Sequence, residues 1–357
     1  MAWQLVVQRD DISQTNVIEV PRPEPATGQV LLRVDRVGLT ANNVTYAVFG
    51  DAMRYWDFFP ADDLDGKPQG RVPLWGFAEV EQTTVPEVAV GTRVYGYLPT
   101  SSHLLVEPAS INAKGFRDAS AHRRDLPAPY NGLTTTTADP SYDAGLEDLQ
   151  VLYRPLFMTS FMLADYLRDN DVFGADAVII SSASSKTSYG TAFLLDGLRR
   201  IGITSDANRT FTESLGCYDE VITYDDVERL SAPGAVYVDI AGDATLRRRV
   251  HQHIVPAHSA VVGASHHDAA PDLTSQDPLP GAPPTFFFAP DHMRKRYADW
   301  GPDGVEEGHG EAWARFAPVV ADWVDVVVGN GPEDLRSVWL ETLAGDTPPR
   351  TGHVLQL

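Results

Sequence analysis

ADAVIISSASSKTSYGTAFLLDGLRRIGITS, residues 175–205, is the stretch on which the fold turns. ADAVIIS is a continuous apolar, β-branched run, the pattern of a strand covered on both faces. The polar turn SSASSK follows it. TSYGTAFLLDGLRRIG then carries apolar side chains at helical spacing, and ITS returns to a short β-type run. Strand, helix and strand in that order form a crossover unit, which joins parallel neighbours in a sheet.

The alternation continues toward the C-terminus. EVITY, AVYVDIAG and SAVVGAS read as further strands, with ATLRRRVHQHI as a helix between them. Upstream, RPLFMTSFMLADYLRDN (154–170) reads as the helix that enters this doubly wound sheet. Earlier still the character changes. VLLRVDRVGL (30–39), AEVEQTTV (78–85) and TRVYGYL (92–98) are short β-type runs, with Gly28, Gly76 and Gly91 where turns are expected, and they suggest a compact barrel-like domain. Residues 118–148, which include TTTTADP, show no period and read as a long loop or lid. Near the end, EAWARFAPVVADW and EDLRSVWLETLAG read as helices and GHVLQL as a strand that returns to the first domain. The expected division is 1–155 completed by 331–357, and 156–330.

At 357 residues the chain has room for two cores. No apolar run approaches the roughly 18 residues needed to span a bilayer. The start MAWQLVVQRDD lacks the pattern of a secretory signal, and Cys217 is the single cysteine, so no disulfide forms within the chain and a reducing cytoplasm is the expected setting. A formal charge of −21 opposes binding to nucleic acid. The expected partner is a small-molecule substrate. A homodimer is left open.

The order of these pieces resembles the medium-chain dehydrogenase/reductase superfamily over nearly the whole chain. GQVLLRVDRVGLTANNVTYAVFG is similar to its early strand-and-loop motif and VPLWGFAEVEQTTVPEVAVGTRVYGYL to the segment that follows; SLGCYDEVITYDD and VYVDIAG fall where it places the third and fourth strands of its sheet. LTANNVTY, YWDFFPA, SSASSKTSYG and FFAPD resemble, more narrowly, a bacterial branch described only as a domain of unknown function. The resemblance implies an α/β chain with a GroES-like β-barrel catalytic domain, a Rossmann-type nucleotide-binding domain and NADP(H) as cofactor.

Superfamily members cross from first strand to helix on glycines that let the backbone approach a pyrophosphate. Here Ser182, Ser185, Lys186 and Ser188 stand at positions where the quinone reductase-like members carry glycine, and Gly190 alone remains nearby. The hydroxyls of Ser182, Ser184, Ser185 and Thr187, with the charge of Lys186, are candidates for holding the diphosphate; the competing reading is a helix cap that binds nothing. SSKTS lacks the glycines of a nucleoside-triphosphate loop. After the second strand, ITSDANRTF ends on Thr204 and Ser205 and continues through Asn208 and Arg209, groups that suit a 2′-phosphate and point to NADPH over NADH. Asp206 weighs against this reading, and Arg209 also fits an exposed helix position.

Zinc-dependent relatives place a cysteine in the early loop and a histidine in the second motif. This chain has LTANNVTY and WGFA there, with Phe77 at the histidine position and Cys217 in the other domain, so neither the catalytic nor the structural zinc is expected. HQHIVPAH and SHHD do not restore a metal site, since His251 and His253 point apart on a helix. A zinc-free reductase needs a proton or hydrogen-bond donor for the oxyanion that develops. Tyr46, in the loop that the resemblance places toward the nicotinamide, is the leading donor, against packing in the barrel. Asn43 or Asn42 is a candidate for orienting cofactor or substrate. Trp56, Phe59, Tyr97 and Tyr130 are candidate walls of an apolar pocket, and Arg71 and Arg154 candidate anchors for an anionic group. The function expected is NADPH-dependent reduction of a carbonyl or an activated C=C bond. The alternatives are a lyase or hydrolase on the same fold, or a catalytically silent nucleotide sensor.

Overall fold

The structure is a computed structural model that describes residues 1–262 and 278–357. The last residues of SAVVGAS and both histidines of SHHD lie outside the described residues. The chain divides into two units, Met1–Leu152 with Val324–Leu357, and Tyr153–Trp323. The strand Asp325–Asn330 therefore falls in the first unit, a little upstream of the boundary expected from the sequence.

The first unit is the GroES-like barrel. Its main sheet runs in the order Asp325–Asn330, Thr351–Gln356, Val30–Leu39, Pro73–Thr83, Arg93–Pro99, Gly132–Thr135, Gly115–Asp118 and Pro108–Asn112. Val30–Leu39 is the organising strand. Its register breaks at Leu31/Leu32 and Val34/Arg36 bend it, so that its first half pairs with His103–Val106 and its second half with Thr351–Gln356. Alternate side chains enter the core, where Val30, Leu32 and Val34 meet Leu74, Val80, Val94 and Leu98. The C-terminal helix Gly331–Ala344 adds Leu335 and Trp339, and Trp339 donates its indole N–H to the Ile12 carbonyl at 2.9 Å.

Residues 118–148 are mostly the irregular connection that their polarity suggests, made of short 3-10 turns and interrupted by one strand. Gly132–Thr135 is a strand between Arg93–Pro99 and Gly115–Asp118, and Leu133 is its one buried apolar residue. The segment before it is pinned from inside. Arg123 and Asp118 form an ion pair at 2.8 Å with both side chains 1% exposed; Arg123 also donates to the Tyr130 carbonyl, and its guanidinium lies over the rings of Phe58 and Phe59. A buried charge pair bonded this way holds its loop in one place.

The second unit carries a parallel sheet in the order Glu220–Thr223, Arg199–Thr204, Ala177–Ile180, Val236–Asp239, His258–Val261 and Pro284–Phe286. The chain fills it outward in one direction and then in the other. The switch point thus lies between Ala177–Ile180 and Val236–Asp239, the place where open parallel sheets take their ligands. The helix expected to run through LLDGLRRIG ends instead at Leu194, and Arg199 and Arg200 belong to the next strand. Those two arginines are held at the strand by Glu220 and Asp219, which removes the need for a helix to carry them. The helix expected at 154–170 spans Glu147–Asp169. EAWARFAPVV closes a long helix, Ala289–Val320, which breaks at Gly301, where φ is 74°.

Candidate functional site

In the second unit the polar turn lies at the carboxyl end of Ala177–Ile180, beside the switch point. Ser185 caps the helix Lys186–Leu194, its oxygen accepting from the Ser188 N–H at 3.3 Å. Ser188 is spent on structure, donating to the Ser181 carbonyl at 3.0 Å. Ser182 takes the left-handed conformation, φ 51°, that a glycine would adopt without cost. Ser184 is the meeting point: its oxygen lies 3.1 Å from Asn208 Nδ2 and 3.4 Å from Thr204 Oγ1. Ser184, Thr204 and Asn208, picked from two separate stretches of sequence, therefore come together. Thr187 sits in the first turn of the helix and Ser205 beside Thr204. Arg209 is exposed and bonds Glu213 at 2.8 Å.

Lys186 opens that helix, where the peptide dipoles already place positive potential. It is partly exposed, and desolvation brings its ammonium down to about 8. Its nitrogen stands 5.9 Å from the Tyr153 ring, and the Tyr153 hydroxyl bonds that of Tyr189 at 2.5 Å. On the far side of the switch point, Ser181 Oγ accepts from the N–H groups of Ile240 and Ala241, each at 3.0 Å, and donates to Asp239, which Arg247 holds at 2.7 Å. The sequence reading missed Ser181 and Asp239. The signal available was their place, each next to or at the carboxyl end of a strand.

In the first unit, the helix Ala41–Val48 presents Asn42 and Tyr46 one turn apart on one face. Trp75 Nε1 donates to Tyr46 Oη at 3.2 Å. Burial nonetheless raises the Tyr46 phenol above its ordinary value. The ring packs against Tyr55 at 4.8 Å and Tyr97 at 5.5 Å, and Tyr97 packs on Tyr130 at 4.8 Å.

Several expected roles change here. Asn43 is bonded at both ends of its amide to main chain, to the Thr40 N–H at 2.8 Å and the Pro73 carbonyl at 2.9 Å, so it fixes the helix start and has nothing left for a ligand. Arg71 donates to the carbonyls of Phe59 and Pro60 and clamps the aromatic run in place of an anion. Trp56 is wedged between Gly50 and Gly70, where a Cβ would meet its ring at 2.0 and 2.5 Å; with Phe59 under Arg123 it is core. Tyr97 is buried as well, as are Tyr46 and Tyr55 at 7% exposure each, and the half-buried Trp75 and Tyr130 form the edge of the cluster. Arg154 belongs to the second unit, beside the buried His309. Phe77 is fully buried among Tyr95 and Tyr142, and Cys217 is buried in the second unit. Among the described residues, no group of three or more His, Cys, Asp or Glu side chains could hold a metal ion.

Solved structures of the same fold include CurA from Vibrio vulnificus, at 15% identity and a TM-score of 0.61 over 100% of this chain and 98% of that one. The yhdH oxidoreductase from Salmonella enterica, solved with NADP, matches at 14% identity and 0.57 over the whole of both chains. The quinone oxidoreductase from Thermus thermophilus matches at 15% and 0.56 over 99% of this chain and 100% of that one. At these identities the likeness establishes the fold. No curated protein matches the sequence. A family model spanning residues 37–348 does match, and it covers the aromatic cluster, the serine turn and both switch-point loops: the chain belongs to the family described as protein of unknown function DUF2855.

Proposed function

We propose that the protein is a zinc-independent NADP(H)-dependent reductase of a carbonyl or an activated C=C bond. The observation that carries this is the charge pattern of the serine turn. Lys186 at the first position of the helix puts its ammonium where the peptide dipoles already place positive potential, so side chain and helix end favour an anion at the same place. Ser184, Thr204 and Asn208 stand ready beside it with hydroxyl and amide groups. A dinucleotide phosphate fits that set. The fold supports the same reading, since CurA and the Thermus enzyme were both solved with NADPH.

Bound there, the cofactor would supply hydride. Lys186, Ser184 and the helix N-terminus would hold the diphosphate, and Asn208 and Arg209 the 2′-phosphate, Arg209 leaving its exposed partner Glu213 to do so. Tyr46 is the proton donor. Its oxygen accepts from Trp75, which leaves its own hydrogen for a substrate oxygen or carbon. Ser259 and His251 lie 2.9 Å apart in the arrangement of a hydrolase pair, but both are fully buried and cannot meet a substrate.

Fluorescence titration with NADPH and NADH, followed by a panel of quinones, enones and aldehydes, tests the proposal. Tyr46→Phe is expected to keep NADPH affinity and to lower turnover about 10²–10³-fold, with about 1 kcal/mol of stability lost from the missing bond. Binding of neither nucleotide would overturn the reading in favour of a non-redox enzyme. Unchanged turnover with a lower melting temperature would assign Tyr46 to the core.

A further inference from the structure

Trp75 lies on the strand Pro73–Thr83, directly across from Tyr97 in the next strand. It is half-buried, its ring 5.0 Å from Tyr97 and 5.8 Å from Tyr95. An enclosed indole needs an acceptor for its N–H, and any of the carbonyls nearby in a sheet could serve. This one reaches across to a helix and donates to the phenol of Tyr46 at 3.2 Å.

A phenol oxygen has one hydrogen to give and two lone pairs to fill. With the indole N–H on one lone pair, the hydroxyl hydrogen turns away from Trp75. We propose that Trp75 is a positioning residue for Tyr46, aiming its O–H and holding the oxygen once the proton has left. The inference rests on the reading of Tyr46 as proton donor. A bound nicotinamide would supply hydride to the electrophilic carbon of the substrate, and the displaced π electron pair would collect on the substrate oxygen or the α-carbon. The Tyr46 O–H bond would then break, its proton going to that atom and its electron pair staying on the phenolate. The indole N–H, already aimed at that oxygen, would stabilise the new charge without having to turn, which is what makes such donors effective. Solvent water returns the proton.

The same contact explains why tryptophan stands here. A phenylalanine would keep the stack on Tyr95 and the edge against Tyr97, but it carries no N–H. Phenylalanine therefore removes the hydrogen bond to Tyr46 together with part of the indole's area, and a side chain of indole shape without the N–H removes the bond alone.

The test uses the full chain with Trp75→Phe and, as a shape-preserving second variant, Trp75 replaced by benzothienylalanine, which has the indole outline without the N–H. The ζ-carbon resonance of Tyr46, assigned in ¹³C-tyrosine-labelled protein by its loss in Tyr46→Phe, is expected to move in both variants. Turnover should fall roughly tenfold at unchanged KM for NADPH, as for one lost bond to a developing charge. A more acidic 3,5-difluorotyrosine at position 46 should recover most of that loss. An unmoved resonance, full turnover in both Trp75 variants, or no recovery with the fluorinated residue overturns the proposal. If Tyr46→Phe itself is fully active, the donor reading fails and this inference with it. A normal loss in Tyr46→Phe beside an unmoved resonance in the Trp75 variants overturns this inference alone.

Discussion

Replacing Lys186 with methionine should make the free protein more stable and the cofactor complex weaker. An unfolded lysine titrates near 10.5, whereas desolvation brings Lys186 to about 8 in the folded chain. Between those values the unfolded chain holds a proton that the folded chain has released, so stability rises from pH 8 toward 10.5; below pH 8 the fold carries the whole cost of desolvating the ammonium. At ~1.36 kcal/mol per unit that cost amounts to as much as about 3 kcal/mol. Lys186→Met keeps the stem and removes the charge, and it should gain up to that amount at pH 7, with the gain vanishing by about pH 10.5. The same change should weaken NADPH binding by about 10–100-fold, since a bond from an ammonium to a phosphate contributes about 1.5–3 kcal/mol. In the unsubstituted protein, NADPH should draw a proton onto Lys186 as pH passes 8, so affinity is flat below 8 and falls by up to about tenfold per unit above it. Denaturation across pH gives the first quantity. Calorimetric titration in buffers of differing ionisation heat gives the second and counts the proton. A methionine variant that is less stable at pH 7 and binds NADPH normally would refute the assignment of a strained cation kept for an anion.

Arg209→Ala should weaken NADPH several-fold and leave NADH unchanged in parallel fluorescence titrations; equal losses would remove Arg209 from the 2′-phosphate site. Arg123→Met strands the buried Asp118 carboxylate and should cost about 3–5 kcal/mol in thermal denaturation, the usual penalty for breaking an enclosed ion pair. Elemental analysis of the purified protein should find no stoichiometric zinc, and activity should survive chelation. One zinc per chain whose removal abolishes turnover would overturn the reading of the site.

The parallel sheet was legible because its strands are covered on both faces. AVII and VYVD are continuous buried runs, and solvent-facing alternation could not have disguised them. Gly132–Thr135 was not legible, because its place in the sheet depends on backbone bonds to strands far away in sequence, and three of its four residues are only half-buried. The site divides in the same way. Hydroxyl-rich ends of strands marked Ser184 and Thr204 in the sequence alone, since strand ends at a switch point are where ligands bind. Trp75 drew no reading from the sequence. Its role depends on being opposite Tyr97 in one strand pair while reaching a helix that begins upstream, and neither relation leaves a mark in the local sequence.

The missing glycines have a physical explanation as well. A glycine in the turn normally lets the turn lie close against the second strand. Here Ala183 lies against that strand, its N–H bonded to the Ile203 carbonyl at 3.0 Å, and the room comes from the other side: a Cβ on Gly202, in the second strand, would stand 2.8 Å from the Ala183 Cβ. The glycine that permits the close approach is in the strand. Ser182 meanwhile takes the left-handed backbone that suits a glycine, at a strain of about 1 kcal/mol. Fluorescence titration of Gly202→Val separates the two possibilities: if the close approach serves the cofactor, NADPH affinity falls by more than about tenfold while the far-ultraviolet spectrum stays native, and if it serves packing alone, stability falls and affinity in the folded fraction does not.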